Sequence, residues 1–154
     1  QQDARRCLAE RQLSIPAGKL ERFWRGLEPD YFLRHRPDEV AWHAELLIDA
    51  APDAGPLVAV RDVPERGCTA VFVYCRDMPN LFTITTAALG RLRLDIQDAR
   101  ILTTEAGYSL DTYVVLEADS GEPVLDAARR REIGVRVAAA LAERSLPRDD
   151  APPA

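Results

Sequence analysis

Ala70-Val71-Phe72-Val73-Tyr74-Cys75 gives way at once to Arg76-Asp77-Met78-Pro79-Asn80. The first six residues are small, β-branched or aromatic and apolar on both faces, which predicts a central strand covered on at least one side. Arg76 and Asp77 end that run. Pro79 fixes φ and has no amide to donate, which suits a strand-to-helix turn, and Asn80 tolerates the left-handed region better than most residues, so a sharp corner is expected there. Downstream, Leu81, Ile84, Ala88 and Leu92 recur at helical spacing and define one apolar face.

That face needs a sheet to cover. Residues 94–103 and 108–116 supply it as two strands joined by Thr104-Glu105-Ala106-Gly107, whose glycine suits a hairpin. In the second of these strands Leu110, Thr112, Val114 and Leu116 share one face, and Ser109, Asp111, Tyr113 and Val115 the other. In the first, Leu94 and Ile96 share a face with which Ala99 and Ile101 are out of step, so a β-bulge near Gln97 and Asp98 is expected. A last helix over residues 125–144 carries Leu125, Ile133, Val137, Ala140 and Leu141, with Asp126 in its first turn and Arg144 in its last, as the helix dipole prefers. The order strand, helix, strand, strand, helix is a split βαβ layout, an α+β fold, lacking its final strand.

Upstream, residues 57–61 form a short apolar strand, and Pro64 to Gly67 turn it back toward Cys68 as a hairpin beside residues 71–75. Before it the chain is helical in pattern. Residues 3–13 form a charged helix and residues 16–27 an amphipathic one bearing Leu20, Phe23, Trp24 and Leu27. A short turn spans residues 31–35, and a third helix opens at Pro37-Asp38-Glu39, with Val40, Ala41, Ala44, Leu47 and Ile48 inward and Pro52 ending it. The expected organisation is a helical linker over residues 1–52, a connecting strand and hairpin over 53–68, the split βαβ domain over 69–145, and a disordered proline-rich tail over 146–154. Its prolines cannot enter the middle of a sheet, so the missing strand's place falls to another molecule or to a rearranged segment, with residues 57–61 the best donor.

The 154 residues carry a net charge of −5 with a pI near 5.1, and 20 basic residues of which Lys19 is the one lysine. That balance argues against a general nucleic-acid binder, whose phosphate contacts need a concentrated positive field. Cys7, Cys68 and Cys75 form no paired spacing, which predicts free thiols rather than a disulfide framework or zinc site. No run is long enough to span a bilayer and no signal peptide opens the chain, so a cytoplasmic protein is expected. A start at Gln1 without methionine points to a piece of something longer. His35 and His43 lack further ligands at suitable spacing and read as structural or surface residues. No nucleophile with a base, metal cluster or phosphate loop is present at convincing spacing, and Asp95, Asp98 and Asp111 read as readily as edge charges as an acid–base pair. The turn of Asp77, Met78, Pro79, Asn80 and Leu81 is the better site. Free amides at a helix start favour an anion such as an amino-acid carboxylate, and Asp77 suits an α-ammonium; equally, Asp77 reads as a helix cap and Pro79 as a stiffener.

The ordered set Tyr31-Phe32-Leu33-Arg34-His35, Trp42-His43, Phe72-Val73-Tyr74, Asp77-x-Pro79-x-Leu81-Phe82, Ile96-Gln97-Asp98-Ala99-Arg100-Ile101 and Leu110-Asp111-Thr112 resembles the C-terminal regulatory part of bacterial bifunctional uridylyltransferase/uridylyl-removing enzymes, over residues 31–116. Within it, the split βαβ portion resembles an ACT domain, a ligand-sensing module of amino-acid metabolism. The resemblance implies glutamine as ligand, with Asp77, Met78, Pro79, Asn80, Leu81, Asp95 and Gln97 at the site; where the family's loop usually has glycine this chain has Asn80, and where its next strand usually opens with asparagine it has Asp95. It further implies a non-catalytic segment without a cofactor of its own, in a magnesium-dependent nucleotidyltransferase and uridylyl-removing hydrolase that modifies the PII nitrogen-signalling protein. A second ACT domain or a homo-oligomer is the implied partner, and neither nucleic acid nor membrane is. The competing reading is a ligand-free interaction module, joined to another copy through Tyr113 and Val115 or through an unpaired strand edge.

Overall fold

In the computed structural model, which describes residues 37–47, 55–104 and 107–145, the chain divides into two units: residues 1–54 with 102–108, and residues 55–101 with 109–154. The helices expected at 3–13 and 16–27, the turn at 31–35 with His35, and the tail at 146–154 lie outside the described residues, as does Cys7.

In the first unit, helix α1 (Pro37–Leu47) opens at its proline, where the missing amide costs nothing. Val40, Ala41 and Ala44 are buried, as their spacing predicts, and so are Trp42 and His43. The His43 ring is fully buried and lies 5.6 Å from that of Trp42. The Leu47 side chain, Ile48 and Pro52 fall outside the described residues. The turn of this unit closes with Thr104 N–H donating to Tyr108 O at 2.6 Å and Gly107 N–H donating to Thr104 O at 3.1 Å. Gly107 sits at φ 86°, a conformation that a side chain would strain.

The second unit is built on a four-stranded sheet. Its strands are β1 (Leu57–Val63), β2 (Cys68–Arg76), β3 (Leu94–Thr103) and β4 (Tyr108–Glu117), in the order β1-β2-β4-β3. Helices α2 (Leu81–Arg91) and α3 (Ala127–Ser145) complete an α+β, ACT-like fold. β4 lies between β2 and β3, the strands that α2 connects, which is the split βαβ arrangement. β1 runs antiparallel to β2, from Leu57 opposite Tyr74 to Val63 opposite Cys68. The slot beside β2 is thus filled from residues 57–63, upstream in the chain, as the sequence predicts. A 3₁₀ turn (Pro64–Arg66) and Gly67, left-handed at φ 61°, close this hairpin.

β2 is buried on both faces: Val71, Val73 and Cys75 on one, Phe72 and Ala70 on the other. The first set forms one core with Tyr113 and Val115 of β4, Leu94 of β3, Leu81, Ala88 and Leu89 of α2, and Ile133, Val137 and Leu141 of α3. Each of these larger aliphatic side chains contributes about 1.5–3 kcal/mol by leaving water. Ile96 and Ala99 both pack against this core, so β3 does change phase between them, as the pattern requires.

Three expectations need correction. On α2 the buried residues are Leu81, Thr85, Ala88 and Leu89, with Leu92 beyond, while Ile84 is only partly covered. Thr85 can be buried because its hydroxyl donates to Leu81 O at 2.8 Å. Leu125 is 68% exposed and precedes the helix; Val124 takes the buried place, its N–H donating to Thr69 Oγ1 at 2.8 Å. Tyr113 and Val115 are fully buried in the core and offer no face to another copy. Asp126 caps α3 through Oδ1, which accepts from Ala128 N–H at 3.0 Å.

Candidate ligand-binding site

The corner between β2 and α2 is formed by Asp77, Met78, Pro79 and Asn80. Leu81 N–H donates to Met78 O at 3.3 Å and Ile84 N–H to Asn80 O at 2.8 Å, so the helix winds directly out of the turn. Asn80 is its N-cap, at φ 64° and ψ 20°, the left-handed corner expected of it. Its side chain makes no capping hydrogen bond. Leu81 N–H is taken by Met78 O, and with no side-chain cap the amides that follow it, of Phe82 and Thr83, keep the capacity to bind an anion from outside. Asp77 is exposed beside them and is not the cap, and Pro79 and Asn80 are exposed too. Met78 is half-buried against the core, and Leu81 is buried, anchoring the turn from below.

Asp95 and Gln97 are exposed on β3, just beyond the far end of α2. Asp77, Met78, Pro79, Asn80 and Leu81 follow one another through the corner, while Asp95 and Gln97 stand on β3.

The Leu110-Asp111-Thr112 motif places a polar group in the core. Asp111 is fully buried on the core side of β4 and accepts from Ser109 Oγ at 2.5 Å. It is neither an edge nor a surface charge, unlike the exposed Asp95 and Asp98. Burial, with the charges of Asp111 and then Asp77 nearby, pushes the Cys75 thiol up to about 12. Burial and Asp111 also raise the Tyr113 hydroxyl. Both groups therefore stay neutral at physiological pH. The Tyr113 ring stacks with Phe82, centroids 6.2 Å apart, and Phe82 is half exposed in the first turn of α2. The signal for this cluster was parity: Asp111, Tyr113 and Val115 alternate on one face of β4.

Cys68 and Cys75 are buried and stand outside any disulfide. Among the described residues no group of three or more histidine, cysteine or carboxylate side chains is arranged to hold a metal ion, and no helix is long and apolar enough to cross a membrane.

Residues 1–46 match the family model described as the uridylyltransferase GlnD fifth domain. The chain is 43% identical over 116 residues to a bifunctional uridylyltransferase/uridylyl-removing enzyme of Ectopseudomonas mendocina, which covers 73% of this chain and 13% of that protein. It is 45% identical over 107 residues to one from Stutzerimonas stutzeri, covering 68% of this chain and 12% of that protein. A third, from Azotobacter vinelandii, is 40% identical over 116 residues, again 73% of this chain and 13% of the relative. The chain thus spans about an eighth of the length of the curated relatives it matches. With identities of 40–45% over two thirds or more of its length, the chain belongs to the bifunctional uridylyltransferase/uridylyl-removing enzyme family.

Proposed function

We propose that this segment is the glutamine-sensing ACT domain of a cytoplasmic enzyme that adds UMP to, and removes it from, the PII nitrogen-signalling protein. The observation that carries the reading is the Asp77–Leu81 corner, an exposed helix start whose cap residue makes no side-chain hydrogen bond to the first turn, with a carboxylate alongside. The α-carboxylate of glutamine sits at the amides of that turn, and its α-ammonium is received by Asp77. The buried Leu81 and half-buried Met78 hold the turn to the core, so that occupancy is felt along α2. For control of the whole enzyme, glutamine must bind its two states with different affinity, since a ligand indifferent to them shifts nothing. Asp95 and Gln97, exposed on β3, complete the site for the ligand.

The test is thermal stabilisation by glutamine. The chain should gain melting temperature at millimolar glutamine and Asp77→Ala should not, although Asp77 is exposed and its loss leaves the unliganded melting point unchanged. An equal gain in both proteins would remove Asp77 from the site, and no gain in either would remove the site.

A further inference from the structure

Tyr113 is fully buried, yet its hydroxyl has no hydrogen-bond partner. A buried phenol ordinarily finds one, so this group calls for an explanation. The nearby Thr85 hydroxyl donates instead to Leu81 O, at 2.8 Å. Two residues before Tyr113, on the same face of β4, stands Asp111, also fully buried, with Oδ1 accepting from Ser109 Oγ at 2.5 Å. Asp111, Thr85 and Cys75 are the groups that act on the Tyr113 hydroxyl, which places it between the first half of α2 and the end of β2. Those are the two elements that the Asp77–Leu81 corner joins.

The Tyr113 ring is stacked by Phe82, with centroids 6.2 Å apart. Phe82 belongs to the first turn of α2, and its amide is one of those that keep the capacity to bind an anion. Its ring is 51% exposed, a large apolar group standing in solvent directly over a buried hydroxyl. A half-exposed side chain changes rotamer in picoseconds to nanoseconds without opening the core beneath it. A phenyl ring that swings outward leaves room for a smaller planar group.

We infer that Phe82 gates a second half of the ligand site, in which the side-chain carboxamide of the amino acid held at the corner is read by Tyr113 and Asp111. This assignment rests on the glutamine reading and names what selects the ligand. The two groups match a carboxamide: the Tyr113 hydroxyl donates to its carbonyl oxygen, and the Asp111 carboxylate, which accepts at several positions, accepts from its NH2. Burial and the charge of Asp111 keep the hydroxyl protonated, so it remains a donor. A carboxylate in the same place offers acceptors alone and meets the charge of Asp111, so glutamate is refused.

Isothermal titration of the full chain with glutamine, glutamate and the γ-methyl ester of glutamate tests this. The ester keeps the carbonyl and is neutral, but has no N–H to give. Glutamine should bind at least about tenfold more tightly than either. Tyr113→Phe removes the hydroxyl alone; because that hydroxyl has no partner in the core, the unliganded melting temperature should not fall, while affinity for glutamine drops about tenfold. A fluorine label on the Phe82 ring should shift its resonance as glutamine is added. If the ester or glutamate binds as well as glutamine, if Tyr113→Phe keeps full affinity, or if the label does not respond, the inference is overturned and glutamine sensing stands. If glutamine gives no heat with the unaltered chain, both fall.

Discussion

The guanidinium of Arg129, in the first turn of α3, donates to the main-chain carbonyl of Leu92, the C-cap residue of α2. The same group donates to Glu117 Oε1 at the end of β4, at 3.2 and 3.3 Å, and to Glu132 Oε1 at 2.6 Å. One side chain thereby satisfies an orphan carbonyl of one helix and ties both helices to the end of the sheet. Because Arg129 is about a quarter exposed, water recovers part of its loss. Arg129→Ala should cost about 1–2 kcal/mol. Arg129→Lys should recover only part of that, since an ammonium cannot reproduce the planar fork. Urea titration measures it as a lower midpoint with an unchanged slope.

Asn80 makes no side-chain cap, so the effect of replacing it comes from the backbone. At φ 64° a β-branched residue is strained, and Asn80→Val should lower stability by about 1–2 kcal/mol. Asn80→Gly should stay within about 0.5 kcal/mol of the parent, because the relief of strain is offset by the greater freedom of the unfolded glycine chain. Thermal melts of the two variants separate the cases.

Cys75 and Tyr113 link stability to alkaline pH. The folded Cys75 thiol ionises near 12, against 9.0 ordinarily, so in the unfolded chain it loses its proton first. The stabilisation is fully present below pH 9 and is lost as pH climbs from 9 toward 12, with Tyr113 adding a loss of the same sign higher up. Unfolding free energy should therefore fall across that window, and Cys75→Ala should flatten the lower part of the fall while lowering stability at neutral pH.

Gly134 lies inside α3, and the space around it accepts a methyl group, with contacts of 3.6 and 3.9 Å that are ordinary van der Waals distances. Gly134→Ala should raise stability by about 0.5–1 kcal/mol through helix propensity. Differential scanning calorimetry reads this as a higher melting temperature, and a loss instead would mean that α3 and β1 cannot yield at that contact.

The sheet was legible because its strands are bounded by strong punctuation: the Pro79-Asn80 corner, the Gly107 turn and the Pro64-to-Gly67 turn. β1 could be assigned to the open slot because the proline-bearing tail could not take it. The helix faces were read less well. Thr85 counts as polar in a hydrophobic pattern, yet bonding its hydroxyl to Leu81 O lets it take a core position. Leu125 and Val124 are adjacent apolar residues, and only the cap at Asp126 decides that the helix starts after both. The faces of β4 were hardest. Apolar residues occupy both, so alternation alone does not say whether Tyr113 or Leu110 meets the helices, and Asp111 followed Tyr113 into the core unforeseen. Of the site, the turn was readable from its proline and asparagine.

Isothermal titration of the intact chain with glutamine, repeated with Asp77→Ala, tests the central claim most directly. Saturable heat at micromolar to millimolar glutamine, at least about tenfold weaker in Asp77→Ala because an ammonium loses its charged partner, is the predicted result. Titration without heat beyond dilution, at a concentration of chain that would reveal millimolar binding, would contradict it.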